Sequence, residues 1–221
     1  MIKLTEVEFS YKSGDFLLEI PNLEIKDGQR LAVIGASGSG KTSLLNLIAG
    51  IEVPQLGQVT VANESISSMN SNQRRVFRLN ELGLIFQEFE LLDYLSCREN
   101  ILLPYRIGTE MDINKEVLEW VDFLSNKAGL THLQQKHPKH ISHGEKQRVA
   151  ICRALVGHPK IVLADEPTGN LDPETKGQIM ELIFDCVDEV EATFVMVTHD
   201  HTLLTRFDQQ IDFSKLTGDK E

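Results

Sequence analysis

The sequence predicts an α/β fold, with parallel strands and intervening helices, an antiparallel β layer at the front and a helical insertion in the middle. Three observations predict it. Leu31-Ala-Val-Ile34, Ile161-Val-Leu-Ala164 and Phe194-Val-Met-Val-Thr198 are short continuous apolar runs, the pattern of parallel strands buried on both faces. Ile2 and Leu4, then Val7, Phe9 and Tyr11, alternate instead, as half-buried strands do. Apolar residues at helical spacing fill the intervals between the continuous runs.

Taken in order, Phe16 to Ile25 and Gln58 to Ala62 extend the antiparallel layer begun by the first strand. Thr42 to Ala49 reads as a helix stopped by Gly50, and Ser96-Cys-Arg-Glu99 is a capping box that opens another. Val117, Val121, Leu124 and Ala128 form a helical stripe ending before Gly129. Asp172 is placed as N-cap and Pro173 as first residue of a helix whose stripe is Ile179, Leu182, Ile183, Cys186, Val187 and Val190. The helical stretch from about 88 to 146 interrupts the strand-rich pattern and is expected to form a subdomain, with 1–87 and 147–221 supplying the β layer and core. The tail after Phe213 is short and polar, and no repeats occur.

The 221 residues suit one domain with an inserted subdomain. Twenty-two Lys and Arg against 33 Asp and Glu give a net charge of -11, which repels phosphodiester backbones unless a local basic face compensates, so nucleic acid is not the expected main ligand. Cys97, Cys152 and Cys186 lie far apart among helix-like apolar residues and read as reduced core thiols. Apolar stretches such as Leu44 to Val53 are too short to span a bilayer, and the first residues lack a signal-peptide pattern, so a membrane role is expected to come through a partner.

Gly35-Ala36-Ser37-Gly38-Ser39-Gly40-Lys41-Thr42, followed by Ser43, lies between a predicted strand and a predicted helix, the context that makes a P-loop credible. Its glycines let successive backbone N–H groups converge on phosphate oxygens, and the helix N-terminus favours negative charge. Lys41 is the candidate charge for the β- and γ-phosphates, and Thr42 the candidate Mg²⁺ ligand. Asp165 and Glu166 end a buried strand, where Asp165 suits Mg²⁺ and Glu166 suits the general base that polarises the attacking water. His199 follows another such strand, placed to sense the γ-phosphate, and Gln87 follows Leu84-Ile-Phe86.

In this order the pieces resemble the ABC ATPase family across nearly the whole chain. Gly35 to Thr42 is similar to its Walker A loop, Gln87 to its Q-loop glutamine and Ile141-Ser142-His143-Gly144-Glu145, with Lys146-Gln147-Arg148, to its signature. Asp165 and Glu166 resemble Walker B, Thr168-Gly-Asn-Leu-Asp172 the D-loop and His199 the switch histidine. Tyr11 matches the aromatic that stacks on adenine, with Phe9 and Phe16 as competitors. Ala164 to Asp172, Phe86 to Leu92 and Glu99 to Pro104 are similar to ATPases of lipoprotein-releasing, macrolide-exporting and cell-division complexes.

The resemblance implies a P-loop NTPase with a RecA-like core, ATP and Mg²⁺ as ligands, and Thr42, Gln87 and Asp165 around the metal. It implies a peripheral subunit on the cytoplasmic face of the inner or plasma membrane, bound to membrane-spanning permease subunits. It also implies a head-to-tail homodimer in which Ser142, His143, Gly144, Glu145 and Asp172 act on the ATP held by the second copy. The main departure is His143, where the family has glycine; Ile141 for leucine and Glu145 for glutamine are mild. His137, His140 and His143 do not follow a standard metal-ligand pattern.

Other classes share parts of this pattern. A soluble ABC-like clamp would carry a coiled-coil insertion or two ATPase units in one chain, and neither is present. An ATP-binding regulatory subunit with weak hydrolysis is conceivable from His143, but Asp165, Glu166 and His199 argue against it. A small-molecule P-loop kinase would lack the Ser142 to Glu145 segment.

Overall fold

The computed structural model describes residues 1–11, 16–36, 38–108, 112–169 and 171–216. The chain divides into two compact units, Met1–Arg78 with Ala192–Glu221, and Leu79–Glu191. The first opens with β1 (Ile2–Ser10), β2 (Leu17–Ile25), β3 (Arg30–Ile34), α1 (Lys41–Ile48), β4 (Leu56–Val61) and β5 (Glu64–Ser65), and α2 (Ser71–Glu81) carries the chain into the second.

β2, β1, β4 and β5 form an antiparallel sheet in that order. The change of phase from Ile2 and Leu4 to Val7 and Phe9 has a cause in β1: Glu6 takes a left-handed φ of 49°, and the pairing with β4 shifts by one residue between Thr5 and Glu8. This β-bulge keeps both halves of the apolar set on the buried face. Opposite it stands Gly57 at φ 81°, where a Cβ would lie 2.1 Å from the Glu6 carbonyl oxygen, so only glycine fits. Beyond α1, the Arg74 Nε donates to the Gly50 carbonyl at 3.0 Å and the Arg78 guanidinium donates to the same oxygen at 2.8 Å. Two cations thus cap the C-terminal end of α1, the negative end of its dipole.

The second unit contains β6 (Leu82–Ile85), α3 (Cys97–Ile101), α4 (Leu103–Ile107), α5 (Lys115–Lys127), α6 (His143–Leu155), β7 (Ile161–Asp165) and α7 (Pro173–Glu189). β6 and β7 pair in parallel, Leu82 opposite Ile161. α6 lies so close to β6 that a Cβ on Gly83 would be 2.4 Å from the Ala154 carbonyl oxygen. The α3 capping box forms as predicted: the Ser96 hydroxyl accepts from the Glu99 N–H and the Glu99 carboxylate accepts from the Ser96 N–H. α7 starts at Pro173 behind Asp172 and buries Ile179, Met180, Leu182, Ile183, Phe184, Cys186 and Val187. Large apolar side chains contribute roughly 1.5–3 kcal/mol each on burial, which outweighs the β-branched and glycine residues in that helix.

β8 (Thr193–Thr198), β9 (Gln209–Asp212) and α8 (Phe213–Leu216) return to the first unit. There β3 runs parallel to both β8 and β9, with Leu31 opposite Val195 and Gln209. Every residue of β8 is buried, as its unbroken apolar run predicts. Cys97, Cys152 and Cys186 are buried free thiols. Among the described residues no helix is long and apolar enough to cross a membrane.

Candidate active site

The first unit carries the phosphate cradle. β3 ends at Ile34, the loop turns through Gly38 and Gly40, both at positive φ, and α1 begins at Lys41. Lys41 is only 5% exposed and its ammonium donates to the Gly35 and Ala36 carbonyls at 2.9 and 2.6 Å. The Ser39 hydroxyl is buried with no hydrogen-bond partner among the described residues, a donor that suits a phosphate oxygen. Thr42 is exposed on the first turn of α1, and Ser37 lies outside the described residues.

Tyr11 is tied to this helix, for its hydroxyl is 3.0 Å from the Ser43 hydroxyl. Phe9 meets its ring edge-on at 4.8 Å, and Phe16 lies at 5.8 Å. Tyr11 remains 39% exposed, which leaves apolar surface beside the cradle. Phe16 packs instead on Gly40, whose Cβ position is 2.6 Å from the ring. His199 follows β8, exposed, and Asp200 caps the following turn by accepting from the Thr202 N–H at 2.9 Å.

The second unit carries the acidic pair and the signature segment. Asp165 is the last residue of β7, and Glu166 follows it in a left-handed conformation with φ of 43°. Such a conformation costs a glutamate on the order of 1–3 kcal/mol and persists where surrounding structure imposes it. Here the turn is closed by the Gly169 N–H donating to the Glu166 carbonyl at 3.0 Å. A Cβ on Gly169 would be 3.1 Å from the Gln87 amide nitrogen, so the glycine admits the Gln87 side chain beside the turn. Asn170 lies outside the described residues.

Ser142 is the N-cap of α6. Its hydroxyl accepts from the Glu145 N–H at 3.3 Å, and the Glu145 carboxylate accepts from the Ser142 N–H at 2.7 Å and from the Ser142 hydroxyl at 2.8 Å. These bonds, the backbone N–H first and the hydroxyl second, hold the Glu145 carboxyl below its ordinary range. Glutamate in place of glutamine is therefore the acidic half of a capping box. Asp172 likewise caps α7, accepting from the Thr175 N–H at 3.0 Å. The Thr175 side chain and then its N–H lower the Asp172 pKa.

The N-termini of α6 and α7 meet, since a Cβ on Gly144 would be 2.9 Å from the Thr175 methyl. They line an open hollow of about 410 Å³ with Ser142, His143, Glu145, Arg148 and Asp172. His143 is the first helical residue and does not take a positive φ, so the backbone there makes no demand for glycine. Its ring turns toward Phe89, edge-on at 5.7 Å. Among the described residues no group of three His, Cys, Asp or Glu side chains could hold a metal ion.

Two residues have a structural part in this arrangement beyond what the sequence predicts: Gln147, expected only as part of the signature segment, and Arg153. Gln147 is fully buried and its amide donates to the Pro167 carbonyl at 2.7 Å, joining α6 to the turn after Glu166. A signal existed, for Gln147 falls on the stripe of Ile151, Ala154 and Leu155, where a polar side chain needs a partner. Arg153 is the other, and its grip on Phe89 and Glu90 could not be read from spacing.

A glycine-rich cradle leading from strand to helix, with an acidic pair closing a second buried strand, defines a P-loop nucleotide hydrolase. Comparison with known proteins narrows the class. Residues 18–169 match the ABC transporter family model. The chain is 40% identical over 211 residues to the lipoprotein-releasing system ATP-binding protein LolD of Bdellovibrio bacteriovorus, covering 93% of this chain and 94% of that protein. Among solved structures it is similar to the dimeric bacterial ABC transporter cassette MJ0796, with a TM-score of 0.85, 33% identity, and 96% of this chain and 95% of that one covered. The post-hydrolysis dimer of MJ0796 bound to ADP and Pi gives a TM-score of 0.83 at 32% identity, with the same coverage. The chain belongs to the ABC transporter family, as an ATP-binding and ATP-hydrolysing subunit.

Proposed function

We propose that this chain powers a membrane complex of the lipoprotein-releasing kind, as a peripheral subunit docked on membrane-spanning permease subunits at the cytoplasmic face of the membrane. Segment 88–146 is the subdomain that meets the partner. Two copies work head to tail, and the observation that carries this reading is the hollow where the capped N-termini of α6 and α7 converge. Backbone N–H groups at such termini suit the terminal phosphate of a nucleotide presented by a second copy. Ser142, Gly144 and the His143 N–H supply that contact, and Asp172 faces the partner while capping its own helix.

On its own ATP, Lys41, the loop N–H groups and the Ser39 hydroxyl hold the phosphates, and Tyr11 receives the adenine. Glu166 polarises the attacking water and His199 orients it against the γ-phosphate. Thr42, Gln87 and Asp165 are all oxygen donors with a single carboxylate, a set that suits Mg²⁺ completed by phosphates and water. When bound, Mg²⁺ neutralises charge on the β- and γ-phosphates. ATP binding closes the dimer and hydrolysis reopens it, so the work done on the membrane partner comes from closure.

Glu166→Gln tests this reading. The variant should bind Mg-ATP like the parent, hydrolyse it about 10²–10⁴-fold more slowly, and accumulate as a dimer on gel filtration. Undiminished turnover refutes the assignment of Glu166, and a monomer under saturating Mg-ATP refutes the head-to-tail pair.

A further inference from the structure

Arg153 is a half-buried cation that the hydrolytic reading leaves without a task. It lies on α6 between Cys152 and Ala154, both buried, and desolvation lowers its pKa while Glu90 opposes that change. Its guanidinium donates to two successive carbonyls, that of Phe89 at 2.8 Å and that of Glu90. Glu90 takes a left-handed φ of 50°. The stretch between β6 and α3 has no regular structure of its own. It is anchored again at Leu92, whose N–H donates to the fully buried Asn100 side chain at 2.8 Å.

α6 grips this stretch at a second point. His143, ten positions before Arg153 on the same helix, sets its ring against that of Phe89. Gln87, two residues before Phe89, is exposed and reaches the Gly169 turn. The free length of chain between Gln87 and the Arg153 anchor is a single residue, Glu88.

We propose that Arg153 is a positioning residue for Gln87: through the Phe89 and Glu90 carbonyls, and with the His143–Phe89 contact at the other end of α6, it holds the glutamine in register with the signature helix. The inference rests on the assignment of Gln87 to Mg²⁺ given above. Helix α6 then presents Ser142 to one nucleotide and fixes Gln87 for another, and His143 strengthens that tie where a glycine would have no ring to offer.

The test is binding of the fluorescent analogue mant-ATP, with and without Mg²⁺, to the full chain in the Glu166→Gln background. Arg153→Ala and Gln87→Ala should each weaken Mg²⁺-dependent binding by about tenfold while leaving Mg²⁺-free binding within about twofold of the parent. The double variant should bind no more weakly than Gln87→Ala alone, and Arg153→Lys, keeping the charge but losing the fork, should fall between Arg153→Ala and the parent. Arg153→Lys also serves if Arg153→Ala does not fold. Losses that multiply in the double variant, or parental Mg²⁺ dependence in the Arg153 variants, overturn the proposal while leaving the assignment of Gln87 intact. Parental Mg²⁺ dependence in Gln87→Ala overturns that assignment and this inference together.

Discussion

Gly144 is constrained by a neighbour rather than by its own dihedral angles. A methyl group added there meets the Thr175 methyl at 2.9 Å, and Thr175 is held by its β-branch and by the Asp172 cap. Gly144→Ala should lower the thermal midpoint, and adding Thr175→Ser, which deletes the opposing methyl, should restore most of the loss. Failure of the second change to rescue would place the cost elsewhere. Glu145 gives a pH-dependent prediction. Its carboxyl titrates in the folded chain below the ordinary value of 4.5, so its contribution to stability is complete above that pH and is lost as pH falls through the depressed folded value. Thermal melts between pH 7 and pH 3 should show Glu145→Gln losing less stability on acidification than the parent, since glutamine keeps the cap geometry without the charge. Residue type and order alone assign the proposed roles of Lys41, Asp165 and Glu166. What spacing could not show is that Glu166 adopts a left-handed conformation, or that Ser43 and Tyr11 share a hydrogen bond across 32 positions.

Helix ends decide more of this structure than helix interiors do. α6 and α7 both begin on side chains that satisfy otherwise unpaired N–H groups, and Ser142→Ala should cost about 1 kcal/mol in urea denaturation. α1 is held at its far end by Arg74 and Arg78, and Arg78→Ala should cost about 1–2 kcal/mol and loosen nucleotide binding through the helix that carries Lys41 and Thr42. Gly177, exposed within α7 with open space about its Cβ position, has no such reason to be glycine. Gly177→Ala should stabilise the chain by about 0.5–1 kcal/mol. Strong periodicity or caps made α5 and α7 legible to within a residue or two of their ends, and α3 at its start. α2 was not, because it buries one residue, Phe77, and depends on arginine hydrogen bonds. β6 and β9 were missed for related reasons: β6 is four residues long with a glycine inside, and β9 begins with two glutamines.

At the scale of the molecule the three thiols, all in the second unit, show how thoroughly that unit is filled. Burial pushes the Cys186 thiol up to about 11 and Cys152 higher still, and it also raises Cys97. A disulfide reagent at neutral pH should therefore react slowly with the native chain and rapidly with all three after denaturation. Fast modification in native buffer would contradict the packing of α3, α6 and α7.

The first unit is assembled from the two ends of the chain, with β3 seated between strands that begin at Thr193 and Gln209. During synthesis the phosphate loop emerges early, but the partners of the strand that feeds it are made only after the whole second unit. A nascent chain stopped at residue 191 has its second unit whole and Lys41 already made, yet β3 lacks both neighbours. It should retain no mant-ATP. Nucleotide binding thus reports that synthesis has passed β9, so a chain still short of that strand holds no ATP to hydrolyse.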